Sequence, residues 1–369
     1  MTSESAARET TVVAPVRTER PTLATLFDPR ANGLNAVRLF LALAVIVWHS
    51  FPLTGTAVPF FPARQIAGNL WVDAFFAISG FLITRSWLAR PHLGAYLRAR
   101  ALRILPAFYV CIVVTAFVIA PVGARATGAS ITWHDSLHYV VANAGLRVRE
   151  YGINGTPTGV PFPGAWNGSL WTLWWEALCY LGVAALGLLG LLRRPRVVAP
   201  MLLGVFWLAE LGVALGAVDR YELRMGARFG LMFSAGAVLL VLADRVSVRP
   251  RWIALASGAL LVAAFLPDYR LVAAPLVAYV AVGSGSMLKS SRWRFPDDLS
   301  YGTYVYAFPL QQLLACFGLA VLPPLMFAGV SVLVTLPVAA CSWFGVERPA
   351  LRLRNRGAPS PPKRDKSPV

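Results

Sequence analysis

The chain has 369 residues, 57% of them hydrophobic, and a formal net charge of +17. A mean hydropathy of +0.60 excludes an ordinary soluble domain, and repeated apolar runs of helix length predict an all-α, polytopic integral membrane protein. The Lys and Arg side chains fall between those runs rather than on one patch, which argues against nucleic acid as a partner and for a topology set by basic loops.

Residues 1–32 carry Glu4, Arg8, Glu9, Arg17, Glu19 and Arg20 without the apolar core of a signal peptide, and read as a disordered cytoplasmic tail. Residues 33–350 form the transmembrane domain. Its ten apolar runs lie at about 36–55, 69–88, 104–121, 170–192, 197–217, 225–244, 252–266, 271–288, 299–320 and 325–345. Alternate connections are basic: Arg90 with Arg98, Arg100 and Arg103; Arg193, Arg194 and Arg196; Arg245, Arg249 and Arg251; Lys289, Arg292 and Arg294. That alternation predicts about ten spans with both termini in the cytoplasm. Residues 122–169 are a long Gly-, Pro- and Thr-rich connection on the outer side, and connections of that length are either functional or disordered. Asn154-Gly155-Thr156 and Asn167-Gly168-Ser169 within it fit the glycosylation pattern, a short pattern that recurs by chance. Residues 351–369 are Pro- and Lys-rich and predict a second disordered tail. Cys111, Cys179, Cys316 and Cys341 sit inside apolar runs without metal spacing and read as small buried hydrophobes.

The first span, Asn35 to Pro52, carries Arg38 and His49. Eleven residues at about 100° and 1.5 Å each put them on nearly one helix face, about 16 Å apart. Polar groups in hydrocarbon need a reason. Arg38 has a plain one as a snorkelling anchor and His49 as a hydrogen bond between helices. The sharper reading makes His49 a base, with Arg38 binding an anion below it. Asp73 near the start of the second span and Glu176 in the fourth fall at a similar depth, in the outer half of the bilayer. A carboxylate beside His49 would hold one imidazole tautomer, as a general base for an alcohol requires. Asp73 also suits a helix cap, and Glu176 a structural ion pair. Arg100 and Arg103, with Arg98, crowd the other end of the bundle, where guanidinium groups suit phosphate contact or simply set topology. His134 and His138 lie four apart in the outer connection, but nothing near them completes a metal motif, so no metal is expected.

Taken together, these motifs resemble the acyltransferase family 3 membrane proteins of bacteria, over about residues 33–350. Arg38 and His49 look like the family's Arg, ten residues, His signature. Val72 to Ile83 resembles its second-span motif, and Arg100-Ala101-Leu102-Arg103 with Pro106 its basic motif. Leu170 to Glu176 resembles its acidic span; Ser300-Tyr301-Gly302-Thr303-Tyr304 and Glu347-Arg348-Pro349 resemble its late signatures. The chain departs from the family at Tyr306-Ala307-Phe308-Pro309, where a His often stands in place of Ala307. The resemblance implies a multi-pass plasma (inner) membrane O-acyltransferase with no bound cofactor. It would move an acyl group, acetyl first among them, from cytoplasmic acyl-CoA to a hydroxyl of a carbohydrate or glycosylated small molecule, as in polysaccharide biosynthesis. Its site would be His49, Asp73 and Glu176 for catalysis, and Arg38, Arg100 and Arg103 for the donor. A transporter using the same buried charges as a proton or substrate path is the second reading.

Overall fold

The computed structural model describes residues 21–29, 31–288 and 297–353. Most of both expected tails, and the basic group Lys289, Arg292 and Arg294, lie outside these residues. In chain order the helices are α1 (Leu34–Leu53), α2 (Phe61–Ala89), α3 (Leu93–Ala126), α4 (Trp133–Asn143), α5 (Thr172–Leu188), α6 (Pro195–Ala214), α7 (Tyr221–Val241), α8 (Pro250–Ala263), α9 (Arg270–Met287), α10 (Ser300–Cys316) and α11 (Pro324–Arg352). Among the described residues there is no strand, only two isolated bridges. All ten apolar runs are helices. Seven of these helices, α1, α2, α3, α6, α7, α9 and α11, are long and apolar enough to cross a membrane. The remaining three, α5, α8 and α10, span 17, 14 and 17 residues.

The bundle is built around α10 and α7, whose side chains are buried almost all round. A helix apolar on every side belongs inside. In a bilayer, lipid is as apolar as leucine, so helices associate where small residues let backbones approach. The α2–α7 contact shows it: a methyl group added at Gly80 would meet the Phe233 carbonyl oxygen at 1.9 Å, and one at Gly236 the Ala77 oxygen at 1.9 Å. By contrast, α6 is peripheral, with 11% of its apolar stretch buried.

Three single π-helical turns, Ile66–Leu70, Thr115–Ile119 and Trp343–Glu347, interrupt α2, α3 and α11. Such bulges re-aim side chains and often mark functional regions. The last of them ends on Glu347, which it directs inward.

One stretch expected to be disordered, and one expected to be either functional or disordered, are packed. Within the N-terminal stretch, Leu23–Leu26 form a helical turn; Leu23 is buried, and its amide donates to Val246 at 2.8 Å. The outer connection folds against the bundle through α4 and a coil centred on Trp166, which is fully buried and donates to Thr156 at 2.9 Å. Asn143 ties that coil together by accepting from Arg149 and Glu150 and donating to the Glu150 carbonyl. Asn154 is exposed, but Asn167 is buried and donates to Val305, so the second glycosylation pattern lies on an inaccessible side chain.

Candidate active site

The buried polar groups form a ladder between α1, α2, α3, α5 and α10. At the basic end Asp298, just before α10, accepts from Arg38 Nη1 at 2.7 Å and Arg103 Nη2 at 2.5 Å. The Ser300 amide, at 3.2 Å, and the Ser300 hydroxyl donate to its other oxygen. Burial pushes the Asp298 carboxyl up, but Arg103 and Arg38, with Ser300, hold it down at about 2, so it stays charged. Arg103 also faces Glu347 at 3.7 Å and the Tyr301 ring at 5.5 Å. One carboxylate thus sets the guanidinium groups of α1 and α3 side by side. Asp298 and Glu347 escaped the sequence reading as site residues. The only sign was their position beside the Ser300-Tyr301 and Glu347-Arg348-Pro349 signatures.

One step further in, Glu176 of α5 accepts from Ser79 at 3.2 Å and from the Tyr180 hydroxyl, one turn along. Arg100 lies over the Tyr180 ring at 5.8 Å, and its Nε is buried without a partner. The i,i+3 spacing gives Arg100 and Arg103 one face of α3, yet Arg103 pairs with Asp298 while Arg100 lies over the Tyr180 ring. Arg38 and Glu176 line the same cavity of ≈40 Å³, with Ser79, Thr172 and Tyr304 around them.

His49 stands three turns along α1 from Arg38. Its Nδ1 is buried without a hydrogen-bond partner, and its ring meets Phe308 edge-on at 5.0 Å. The α1 backbone here is braced by Gln311, which donates to the Ile46 carbonyl at 3.1 Å and to Ser50 at 3.0 Å. The outer connection is stapled to α10 beside Phe308. Gln312 donates to Phe162 and Ala165, both at 2.7 Å, and Ser169 to the Tyr304 carbonyl at 3.2 Å. Gly168 lies directly against the Phe308 ring.

Asp73 corrects the sequence reading, which offered it as a partner of His49. Its Oδ1 accepts from Arg228 Nε at 2.7 Å; its Oδ2 accepts from Arg270 Nε at 3.0 Å and from the Tyr269 hydroxyl. Both oxygens are engaged, on the side of α2 that faces α7 and α9. Equal depth in the bilayer did not mean a shared face. Glu176 is likewise not hydrogen-bonded to His49 Nδ1. Of the six residues singled out, the structure gathers Arg38, Arg103, Arg100 and Glu176 at the basic half, leaves His49 further along α1, and turns Asp73 to another set of helices. His138 is exposed and pairs with Glu150 at 3.1 Å.

Comparison with known proteins gives the family. A family model described as an acyltransferase domain matches residues 31–344. An O-acetyl transferase of Shigella phage Sf6 is 27% identical over 346 residues, covering 89% of this chain and 98% of the relative. Nodulation protein 10 of Rhizobium leguminosarum bv. viciae is 28% identical over 375 residues, covering 88% and 94%. No solved structure matches. Because the match runs from before α1 into the π turn of α11, transport gives way to group transfer: the chain belongs to the acyltransferase 3 family and is a membrane acyltransferase.

Proposed function

We propose that this enzyme transfers an acetyl group from acetyl-CoA to a hydroxyl of a carbohydrate or glycosylated small molecule at the plasma membrane, with both of its own termini in the cytoplasm. The observation that carries the reading is the ladder itself. An apolar bundle holds paired guanidinium groups at its basic end and, about 16 Å along the same helix face, an imidazole with a free buried nitrogen. The name of the phage relative supports acetyl as the group moved.

In this reading Arg38, Arg100 and Arg103 hold the donor's phosphates, since guanidinium groups make charge-assisted contacts to phosphate. Asp298 keeps Arg38 and Arg103 aligned for that contact. The pantetheine arm reaches along α1 toward His49. His49 takes the proton of the acceptor hydroxyl as its oxygen attacks the thioester carbonyl; the C–S bond then breaks, and the thiolate of CoA leaves and is protonated. The products are an O-acetyl ester and free CoA. Glu176 acts on the donor side through Tyr180 and Ser79, and Asp73 holds α2 to α7 and α9.

The test is His49→Ala in purified protein, with acetyl-CoA and an acceptor glycan followed by mass. A general base contributes on the order of 10²–10⁴ in rate, so turnover should fall by that factor while donor binding survives. Well-folded His49→Ala protein that transfers acetyl at the parent rate would refute the base mechanism.

A further inference from the structure

Apart from the ladder, the facing surfaces of α8 and α9 form an open groove of ≈810 Å³. Its lining includes no residue of α1, α2, α3, α5 or α10. The groove lies at the same end of the molecule as the Arg38–Asp298 pair, where Val248 donates to Pro21 at 3.1 Å and Gly33 to Gly285 at 2.8 Å.

The chemistry of the groove changes in a fixed order with depth. At the mouth stand Arg249 and Arg251, neither in an ion pair among the described residues. Next come two amphipathic rings. Trp252 lies under the Arg251 guanidinium at 5.1 Å, and the Tyr279 hydroxyl donates to the Ser247 carbonyl at 3.0 Å. Deeper, the walls are Leu255 and Ala259 of α8 and Leu276 of α9. Cation, aromatic belt and aliphatic slot follow the order of phosphate, ester region and acyl chain in a membrane lipid.

We propose that this groove binds one anionic phospholipid, its phosphate on Arg249 and Arg251, its ester region against Trp252 and Tyr279, and one acyl chain along Leu255, Ala259 and Leu276. The charge of the mouth selects for an anionic headgroup over a zwitterionic one. The slot selects for a lipid over a free anion, because a phosphate alone leaves the apolar walls unused.

The experiment titrates detergent-purified protein with phosphatidylglycerol, or with phosphatidylcholine of the same acyl chains, and counts bound lipid by native mass spectrometry. One phosphatidylglycerol per chain is expected to persist at concentrations where phosphatidylcholine is lost. Arg249→Gln with Arg251→Gln should weaken it about 25-fold, about fivefold for each arginine. Ala259→Trp keeps both charges but fills the slot, and should weaken both lipids. Acetyl transfer by each variant in phosphatidylcholine vesicles reports that the bundle is intact. Equal binding of the two lipids by the parent protein overturns the proposal, as does undiminished phosphatidylglycerol binding in either variant. Displacement of the lipid by millimolar inorganic phosphate would make the groove a plain anion site, and one-for-one displacement by acetyl-CoA would assign it to the donor; either result also overturns it.

Discussion

Replacing Gly168 by alanine puts a methyl carbon 2.6, 2.7 and 3.1 Å from three ring carbons of Phe308. Carbon atoms in good contact sit about 3.5–4.0 Å apart, so ring or loop must give by about 1 Å. The ring has little room: Phe308 is 3% exposed, its edge contact with His49 is already 5.0 Å between centroids, and Phe162 lies 6.0 Å away. The loop is pinned by the two Gln312 hydrogen bonds. Gly168 is not in the left-handed region, so alanine meets no backbone penalty and the perturbation is steric. Overpacking of this kind costs about 1–3 kcal/mol of stability. If His49 is the base, moving its neighbour by about 1 Å should lower kcat on the order of 10²-fold. The KM for acetyl-CoA should hold, because the arginines lie about three turns away. The assay is release of free CoA thiol by purified protein of verified fold. Phe308→Leu, which removes the crowded edge, should restore much of the rate in the Gly168→Ala background while costing rate on its own. Parent-rate turnover by Gly168→Ala, or simple additivity of the two changes, would show that the outer connection does not position His49.

Asp298→Asn leaves Arg38 and Arg103 facing each other without their carboxylate, and breaking a buried pair costs about 3–5 kcal/mol. A loss below about 1 kcal/mol in reversible denaturation, the range of exposed pairs, would show that the cluster is solvated. Asp73→Asn should lower Tm through the Arg228 and Arg270 contacts, yet reduce turnover per folded molecule far less than His49→Ala; an equal loss of turnover would return Asp73 to the chemistry. Ten crossings put Ser130 outside and Arg90 inside. In a background without the four native cysteines, Ser130→Cys should react with an impermeant thiol reagent from outside and Arg90→Cys only after permeabilisation, and the same accessibility at both would break the topology.

The amino-acid sequence by itself determined the helices and their order. Hydrophobic periodicity, a rise of 1.5 Å per residue and the placing of charge between apolar runs are local properties, so each apolar run became a helix, and Arg38 and His49 fell on one face of α1. Tertiary structure decided which way each helix faces. Asp73 meets Arg228 and Arg270, 155 and 197 residues away, because small residues such as Gly80 and Gly236 press α2 against α7 in one rotation. Arg38 and Arg103 meet on Asp298, 260 and 195 residues away, a carboxylate whose own stretch of sequence marks it only by its place beside a motif. The outer connection has no periodicity to read, since its order comes from side chains such as Asn143, Asn167 and Gln312 capturing backbone carbonyls. Depth follows from counting along one helix, whereas azimuth and partnership follow from what the other helices present, and a single chain read in order carries no term for that.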